Sequence, residues 1–173
     1  MIGRERATEL GPMPTRAGMT TVDERLVRAP LDRVFRLAAD VERWPEHLRH
    51  YRYVTLLERD PAGGGLVEMA ANRPFGVVHW PAWWTSEMEV RPLGGLFPPA
   101  IRFRHVRGIT TGMEVEWSFA GAAAGTLVRI VHEWNGPRWP VIGGLAATFV
   151  IGPVFIHGIA SRTLAGLAHA AER

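Results

Sequence analysis

Three titratable side chains, Tyr51, His105 and His132, have the chemistry that proton transfer requires. A histidine changes charge near neutral pH and can therefore serve as a general acid or base. Both histidines alternate with apolar residues, in the runs IRFRHV and VRIVHEW, so each is expected on the apolar face of a strand. The pattern predicts that they point into the protein, with Tyr51 near the entrance. A purely structural role as hydrogen-bonded interior histidines remains the alternative.

The same alternation places several tryptophans on the predicted inner faces of the strands. Aromatic walls that carry a few polar groups are typical of a small-molecule pocket. The other reading is that these rings only fill the core. The residues expected to contact a ligand are Trp44, Trp84, Ser86, Met88, Trp117, Trp134, Leu145, Phe149 and Ile156.

The sequence gives little support for thiol chemistry, nucleic-acid binding, a metal site or a phosphate-binding loop. The chain has no cysteine, and its twenty basic residues are all arginine, interspersed with acids to a formal net charge of +3, so we expect no nucleic-acid partner. His47 and His50 are spaced to share a metal, but no further ligands have recognisable spacing, and we expect no metal or cofactor. The glycines at 63–65 mark a hairpin turn and do not open a helix, which excludes a phosphate-binding loop.

The elements that must position these residues follow from periodicity and turn residues. The order is a strand, two short helices, six strands and a long helix, which predicts an α+β domain with an antiparallel sheet. Residues 1–18 are expected to form a flexible arm, and residues 19–173 a single domain. The predicted strands cover residues 20–28, 51–59, 66–71, 82–90, 100–107, 112–119 and 126–134.

The run from Trp139 to Arg162 is apolar enough to suggest a membrane-spanning helix. Its glycines and Pro153 disfavour an isolated span, so we expect a helix that covers the sheet and is kinked at Pro153. Its outer face lacks charged residues, which predicts docking onto a membrane surface, a second copy of the chain or another protein. The predicted docking residues are Trp83, Val150, Ile151 and Val154.

Two stretches carry a resemblance to a known family. Residues 27–51, VRAPLDRVFRLAADVERWPEHLRHY, contain an Ala-Pro helix start, the spacing D-x-x-x-W-P and a tyrosine that opens the second strand. Residues 101–119 and 128–134 are similar to closing strands of the same family. The chain resembles the START-like polyketide cyclase/aromatase and lipid-transport superfamily, also called SRPBCC. The resemblance implies the helix-grip fold, a curved seven-stranded antiparallel sheet wrapped around a long C-terminal helix, with an apolar cavity between them.

The resemblance leaves two functions open. One is cofactor-independent cyclisation or dehydration of a poly-β-ketone chain, in which Tyr51, His105 and His132 would position the substrate or move protons. The other is a non-catalytic carrier of a lipid or quinone, or a docking subunit, located in the cytoplasm or at the membrane periphery. Related aromatases tend to carry an arginine on the fourth strand where this chain has Met88. Either Arg73 or Arg91 replaces it, or the pocket lacks that chemistry.

Overall fold

The computed structural model describes residues 8–75, 78–136 and 156–173, with side chains at all of these except 73–75 and 78–80. Seven antiparallel strands form one sheet in the order β1-β7-β6-β5-β4-β3-β2. This confirms the predicted seven-stranded antiparallel sheet. The strands are β1 (Met19–Val27), β2 (Tyr51–Arg59), β3 (Gly64–Phe75), β4 (Val78–Arg91), β5 (Ala100–Gly108), β6 (Glu114–Ala122) and β7 (Gly125–Trp134).

The helices lie on one side of the sheet. Two short ones, α1 (Leu31–Ala39) and α2 (Trp44–His47), follow β1 and are joined by a 3-10 turn at Val41–Arg43. The C-terminal helix α3 is described from His157 to Ala171. Its inner face packs on the sheet through Ala160, Leu164, Leu167, Ala168 and Ala171, all buried.

Strands β3 and β4 are longer than the sequence pattern predicted. They pair from Gly64↔Glu89 to Phe75↔Val78, well beyond the predicted limits of 66–71 and 82–90. Pro81 lies in the extension, where β4 pairs with β3, whereas its pairing with β5 begins only at Trp84↔Gly108. That end of β4 is therefore a local sheet edge, which agrees with the position expected for a proline in a strand.

The predicted inward faces of the strands form the core. Along β6 and β7 the inward residues Trp117, Phe119, Val128 and Ile130 are each at most 4% exposed. Helix α1 closes this end of the core, since the ring of Phe35 meets that of Phe119 edge-on at 5.3 Å. The apolar alternation along the strands was therefore sufficient to assign the two faces of the sheet.

The outer face carries a buried ion-pair network that the alternation did not reveal. Arg102 points outward as predicted, yet its side chain is 0% exposed, and its Nη2 donates to Glu114 Oε2 at 2.8 Å. The N-terminal segment covers it, because the Gly11 carbonyl accepts from Arg102 and the Leu10 carbonyl accepts from Arg104 at 2.7 Å. A strand position that faces outward is thus not always exposed to solvent.

Leu10 and Gly11 of the predicted arm therefore lie on the outer face of the sheet. Leu10 is 4% exposed, and its N–H donates to Glu89 Oε2 at 2.8 Å. The flexibility of residues 1–18 and the domain limits remain predictions.

A carboxylate and a histidine connect α3 to the edge strand β1. His157 Nδ1 lies 2.5 Å from Oδ1 of Asp23, whose side chain is 4% exposed. Burial raises the pKa of Asp23, and the neighbouring His157 opposes that rise. At the other end of the helix, Glu172 Oε1 accepts from the Arg28 N–H at 2.9 Å. These two contacts fix α3 across the end of the sheet.

Part of the predicted docking surface lies outside the described residues. Val150, Ile151 and Val154 fall there, as does the expected kink at Pro153. Trp83 is described, and it is 53% exposed on the outer face, as predicted. Within the described ranges, none of the helices has both the length and the apolar character needed to cross a membrane.

Candidate functional site

A cavity of about 60 Å³ lies between the inner face of the sheet and α3. Its walls come from α2, from six strands and from α3, so elements distant in sequence meet there. Apart from two histidines, one tyrosine and one threonine, the walls are apolar. The lining residues are Trp44, Tyr51, Met69, Trp84, Phe103, His105, Met113, Val115, Trp117, Ile130, His132, Ile156, Ile159, Ala160 and Thr163.

Trp44 organises the aromatic wall. Its ring stacks on Trp117 with centroids 5.2 Å apart and planes at 20°, and it meets Tyr51 and Phe103 edge-on at 5.1 and 6.0 Å. Its Nε1 donates to the Ala38 carbonyl at 3.1 Å, which satisfies the polar atom of a ring that is only 2% exposed. The ring contacts and this hydrogen bond hold the aromatic side chains of this wall in place.

His105 is fixed from two sides. It is 7% exposed, and its Nδ1 lies 2.7 Å from Oγ1 of Thr110, a buried residue in the turn that joins β5 to β6. Its ring also stacks on Trp84 at 5.8 Å with the planes 18° apart. The ring therefore has a defined orientation beside the cavity.

His132 enters the cavity from β7. Its Nδ1 lies 3.2 Å from Oγ1 of Thr21, its register partner on β1. Both cavity histidines thus contact a threonine hydroxyl through Nδ1. The sequence alternation predicted that the histidines face inward, but these hydroxyl partners depend on strand register and on a turn that only the fold defines.

Tyr51 lies at the start of β2, between the cavity and the protein surface. Its ring contacts Trp44, Trp84 at 6.2 Å and His50 at 4.7 Å, and it is 8% exposed. The structure therefore brings the three predicted acid–base residues, Tyr51, His105 and His132, to one cavity.

Most of the predicted ligand contacts that the structure describes also line this cavity, but three do not. Trp44, Trp84, Trp117 and Ile156 are in its wall. The residues absent from the lining are Ser86, Met88 and Trp134.

Those three are buried at other places on the inner face. Met88 pairs with Gly65 on β3 and with Phe103 on β5, so it is a neighbour of a cavity-lining residue without lining the cavity itself. Trp134 donates through Nε1 to the Thr111 carbonyl at 3.1 Å and is 2% exposed, so it packs on the β5–β6 turn. Ser86 is 0% exposed, and its hydroxyl has no hydrogen-bond partner among the described residues. Alternation assigns a residue to a face but not to a position along the curved sheet.

Two other predicted ligand contacts, Leu145 and Phe149, lie outside the described residues. Residues that the sequence analysis had not selected as ligand contacts also line the cavity, among them Met69, Met113 and Ala160. Met69 follows the period-two pattern of β3, and Met113 continues the inward alternation of Val115 and Trp117 just before β6, so in both cases alternation was the available signal.

Of the two suggested replacement arginines, Arg91 does not reach the cavity. Arg91 donates through Nε to Glu89 Oε1 at 2.8 Å, and both residues point to the outer face of β4. The side chain of Arg73 is outside the description. Within the described ranges, no group of three or more His, Asp and Glu side chains is arranged to hold a metal ion.

This geometry, a seven-stranded antiparallel sheet closed by a C-terminal helix over an aromatic cavity, defines the helix-grip class of ligand-binding domains. Residues 27–154 match the family model for polyketide cyclase/dehydrase and lipid transport. The chain belongs to that family. No curated protein sequence matches it significantly.

Solved structures share the fold. The Zhui aromatase/cyclase of Streptomyces sp. R1128 matches with a TM-score of 0.71 at 19% identity, over 90% of this chain and 94% of that chain. A protein of Thermus thermophilus matches with a TM-score of 0.69 at 22% identity, over 89% of this chain and 97% of that chain. The di-domain ARO/CYC BexL of the BE-7585A biosynthetic pathway matches with a TM-score of 0.67 at 26% identity, over 89% of this chain and 46% of that chain.

Proposed function

We propose that this protein binds a hydrophobic, ring-containing small molecule in the cavity between the sheet and α3. The proposal rests on one observation. Three aromatic side chains, Trp44, Trp84 and Trp117, converge at one cavity, and His105 and His132 line the same cavity. Rigid aromatic faces supply apolar contact, while the two imidazoles supply hydrogen bonds that orient a ligand oxygen.

The size of the cavity sets a condition on binding. At about 60 Å³ it has room for a few water molecules, whereas pockets that enclose drug-sized ligands measure about 300–1,000 Å³. A polycyclic ligand therefore enters only if wall side chains move. Met69 and Met113 are suited to this, because an unbranched thioether adapts its rotamer to a changed space.

Filling the cavity should abolish binding without disturbing the rest of α3. Ala160 lines the cavity and is 3% exposed, whereas Ala165 lies on the exposed side of the same helix. We expect Ala160→Leu to weaken binding of the neutral dye N-phenyl-1-naphthylamine by roughly tenfold or more, the effect of overpacking by 1–3 kcal/mol. Fluorescence titration measures the affinity.

Ala165→Leu is the matched control and should leave the dye affinity at the wild-type value. Equal affinities in wild type and both variants, or no dye binding by the wild-type protein, would show that the cavity is not the binding site. Thermal unfolding of each variant establishes that Ala160→Leu is folded.

A second candidate function, cyclisation or dehydration of a poly-β-ketone, is favoured by one observation. Both histidines that line the cavity are held through Nδ1 by a threonine hydroxyl, which fixes the orientation of two groups capable of proton transfer. The aromatase/cyclase names of two structural neighbours support the same chemistry. A carrier of a lipid or quinone would use the same histidines only to orient its ligand.

A docking role for the outward apolar surface is a further proposal, and it rests mainly on the sequence pattern. Docking onto a membrane or a protein through Trp83 and residues 141–156, and association into a homodimer, follow from the sequence pattern. Trp83 supports docking through its exposure on the outer face. We place the protein in the cytoplasm, with association at the membrane periphery as the alternative.

A further inference from the structure

A second, larger depression lies on the surface beside the cavity. It is a cleft of about 680 Å³ between α3 and the segment that joins α2 to β2. The two sites share a wall, since His50 in the cleft contacts Thr163 Oγ1 in the cavity lining through Nε2 at 3.0 Å. The charged and titratable residues lining the cleft are Glu46, His47, Arg49, His50, Arg162, His169 and Arg173.

Two arginines of this cleft lack a carboxylate partner among the described residues. Arg49 and Arg162 are exposed, and neither forms an ion pair with a carboxylate in the part of the chain that the structure describes. Glu46, the acid in the lining, is already paired with Arg43 at 2.8 Å. Arg104 and Arg129 on the outer face, by contrast, are both paired with glutamates.

One histidine of the cleft, His50, lies close enough to Arg162 for its pKa to be affected. The pKa of His50 is lowered to about 4, first by burial and then by the charge of Arg162. His50 is therefore neutral at pH 7. A cleft in which two arginines have no carboxylate partner among the described residues is suited to an anion.

The walls of the cleft are held at a fixed spacing by a close approach of two backbones. A Cβ added at Gly166 of α3 would lie 2.6 Å from Cδ2 of Leu48 and 3.1 Å from the His47 carbonyl oxygen. A larger residue at this position would require the Leu48 side chain to move and the two elements to separate slightly. Arg49 and Arg162 are therefore attached to two elements in direct contact.

We propose that this cleft binds a phosphate group, carried by a small molecule, between Arg49 and Arg162. A guanidinium has several N–H donors in a planar fork that matches a phosphate with two parallel hydrogen bonds. Two such groups on opposite walls can hold one phosphate dianion. This site is separate from the hydrophobic cavity, and it does not depend on the function proposed for that cavity.

The phosphate can come from two sources. One is a free phosphate-bearing metabolite, and the other is the headgroup of an amphiphile whose chain passes His50 and Thr163 into the cavity. Calorimetric titration with inorganic phosphate and with dodecyl phosphate distinguishes them. Tighter binding of dodecyl phosphate that is reduced by Ala160→Leu identifies an amphiphile, and equal binding of both probes identifies a free metabolite. Either result supports the site.

The test of the site itself uses charge-matched variants. We expect Arg49→Gln combined with Arg162→Gln to weaken phosphate binding by about tenfold or more, because each lost guanidinium removes charge-assisted hydrogen bonds. Arg25→Gln combined with Arg107→Gln removes the same net charge from two exposed arginines on strands β1 and β5, and should leave binding unchanged. Equal loss in both double variants would reduce the effect to net charge and would overturn the proposal.

A measurement on the wild-type protein is independent of any variant. A bound phosphate anion offsets the charge of Arg162 and favours the imidazolium form, so the pKa of His50 should rise from about 4 when inorganic phosphate is added. The histidine ring signals in an NMR pH titration report this value. A His50 pKa that is identical with and without millimolar phosphate would contradict the proposal.

Discussion

Replacing Arg102 by leucine should lower the free energy of unfolding by about 3 kcal/mol. Breaking a buried ion pair typically costs about 3–5 kcal/mol, and the lower value applies because Arg104 still holds Glu114 at 2.6 Å. The loss has a clear origin, since Arg102 is 0% exposed and contacts Glu114, Glu116 and the Gly11 carbonyl. Urea denaturation followed by tryptophan fluorescence measures the change.

The matched control is Arg129→Leu on the same outer face. Arg129 pairs with Glu24 at 3.1 Å, but both side chains are about half exposed, so we expect a loss of about 0–1 kcal/mol. A loss of the same size in both variants would mean that the N-terminal segment does not shield Arg102 from water. Adding Glu114→Gln to the Arg102 variant should recover part of its stability, because it removes the carboxylate left with one partner.

Replacing His132 by alanine should lower the rate of cyclisation of a synthetic poly-β-ketone thioester by about 10²- to 10⁴-fold, the usual contribution of a general acid or base. Affinity for N-phenyl-1-naphthylamine should change much less, because the aromatic walls remain. Release of the aromatic product, followed by absorbance, measures the rate. His169→Ala is the control, since His169 is exposed on α3 and lies outside the cavity lining.

Two outcomes would decide against catalysis by the cavity histidines. If His132→Ala and His105→Ala both leave turnover intact, the acid–base assignment is wrong. If the wild-type protein forms no product yet binds the dye, the protein acts as a binder or carrier, and the histidines orient its ligand. In either case the cavity retains its binding role.

The sequence was informative where a residue's environment is set by its own strand. Period-two alternation placed Trp84, Trp117, His105 and His132 on the inner face, and the structure brings all four to one cavity. The number of strands and their order along the chain followed from turn residues such as those at 61–65 and 121–125. These patterns are local, so they can be interpreted without knowledge of the tertiary fold.

Features that depend on the approach of distant segments could not be derived in this way. Arg102 was assigned to the outer face correctly, but nothing local indicates that Leu10 and Gly11 would cover that face. Met88 and Trp134 were assigned to the inner face correctly, yet neither lines the cavity, because alternation does not show which inward side chains border one space.

The cationic cleft is a third example of this limit. Arg49 and Arg162 are 113 positions apart in the sequence, and their side chains line one surface because α3 packs on the α2–β2 segment at Gly166. The sequence analysis had considered His47 and His50 only as metal ligands. Their surroundings, an unsatisfied ring nitrogen and a nearby arginine, became visible only in the fold.

The most direct test of the account locates the bound dye by NMR. In protein with labelled isoleucine methyl groups, N-phenyl-1-naphthylamine should show intermolecular NOEs to Ile130 and Ile159, which line the cavity from β7 and from α3. Ile109, which is 50% exposed in the β5–β6 turn, serves as the internal reference for adsorption to the surface. NOEs to Ile130 and Ile159 without Ile109 are the predicted result, and NOEs to Ile109 alone would contradict binding in the cavity.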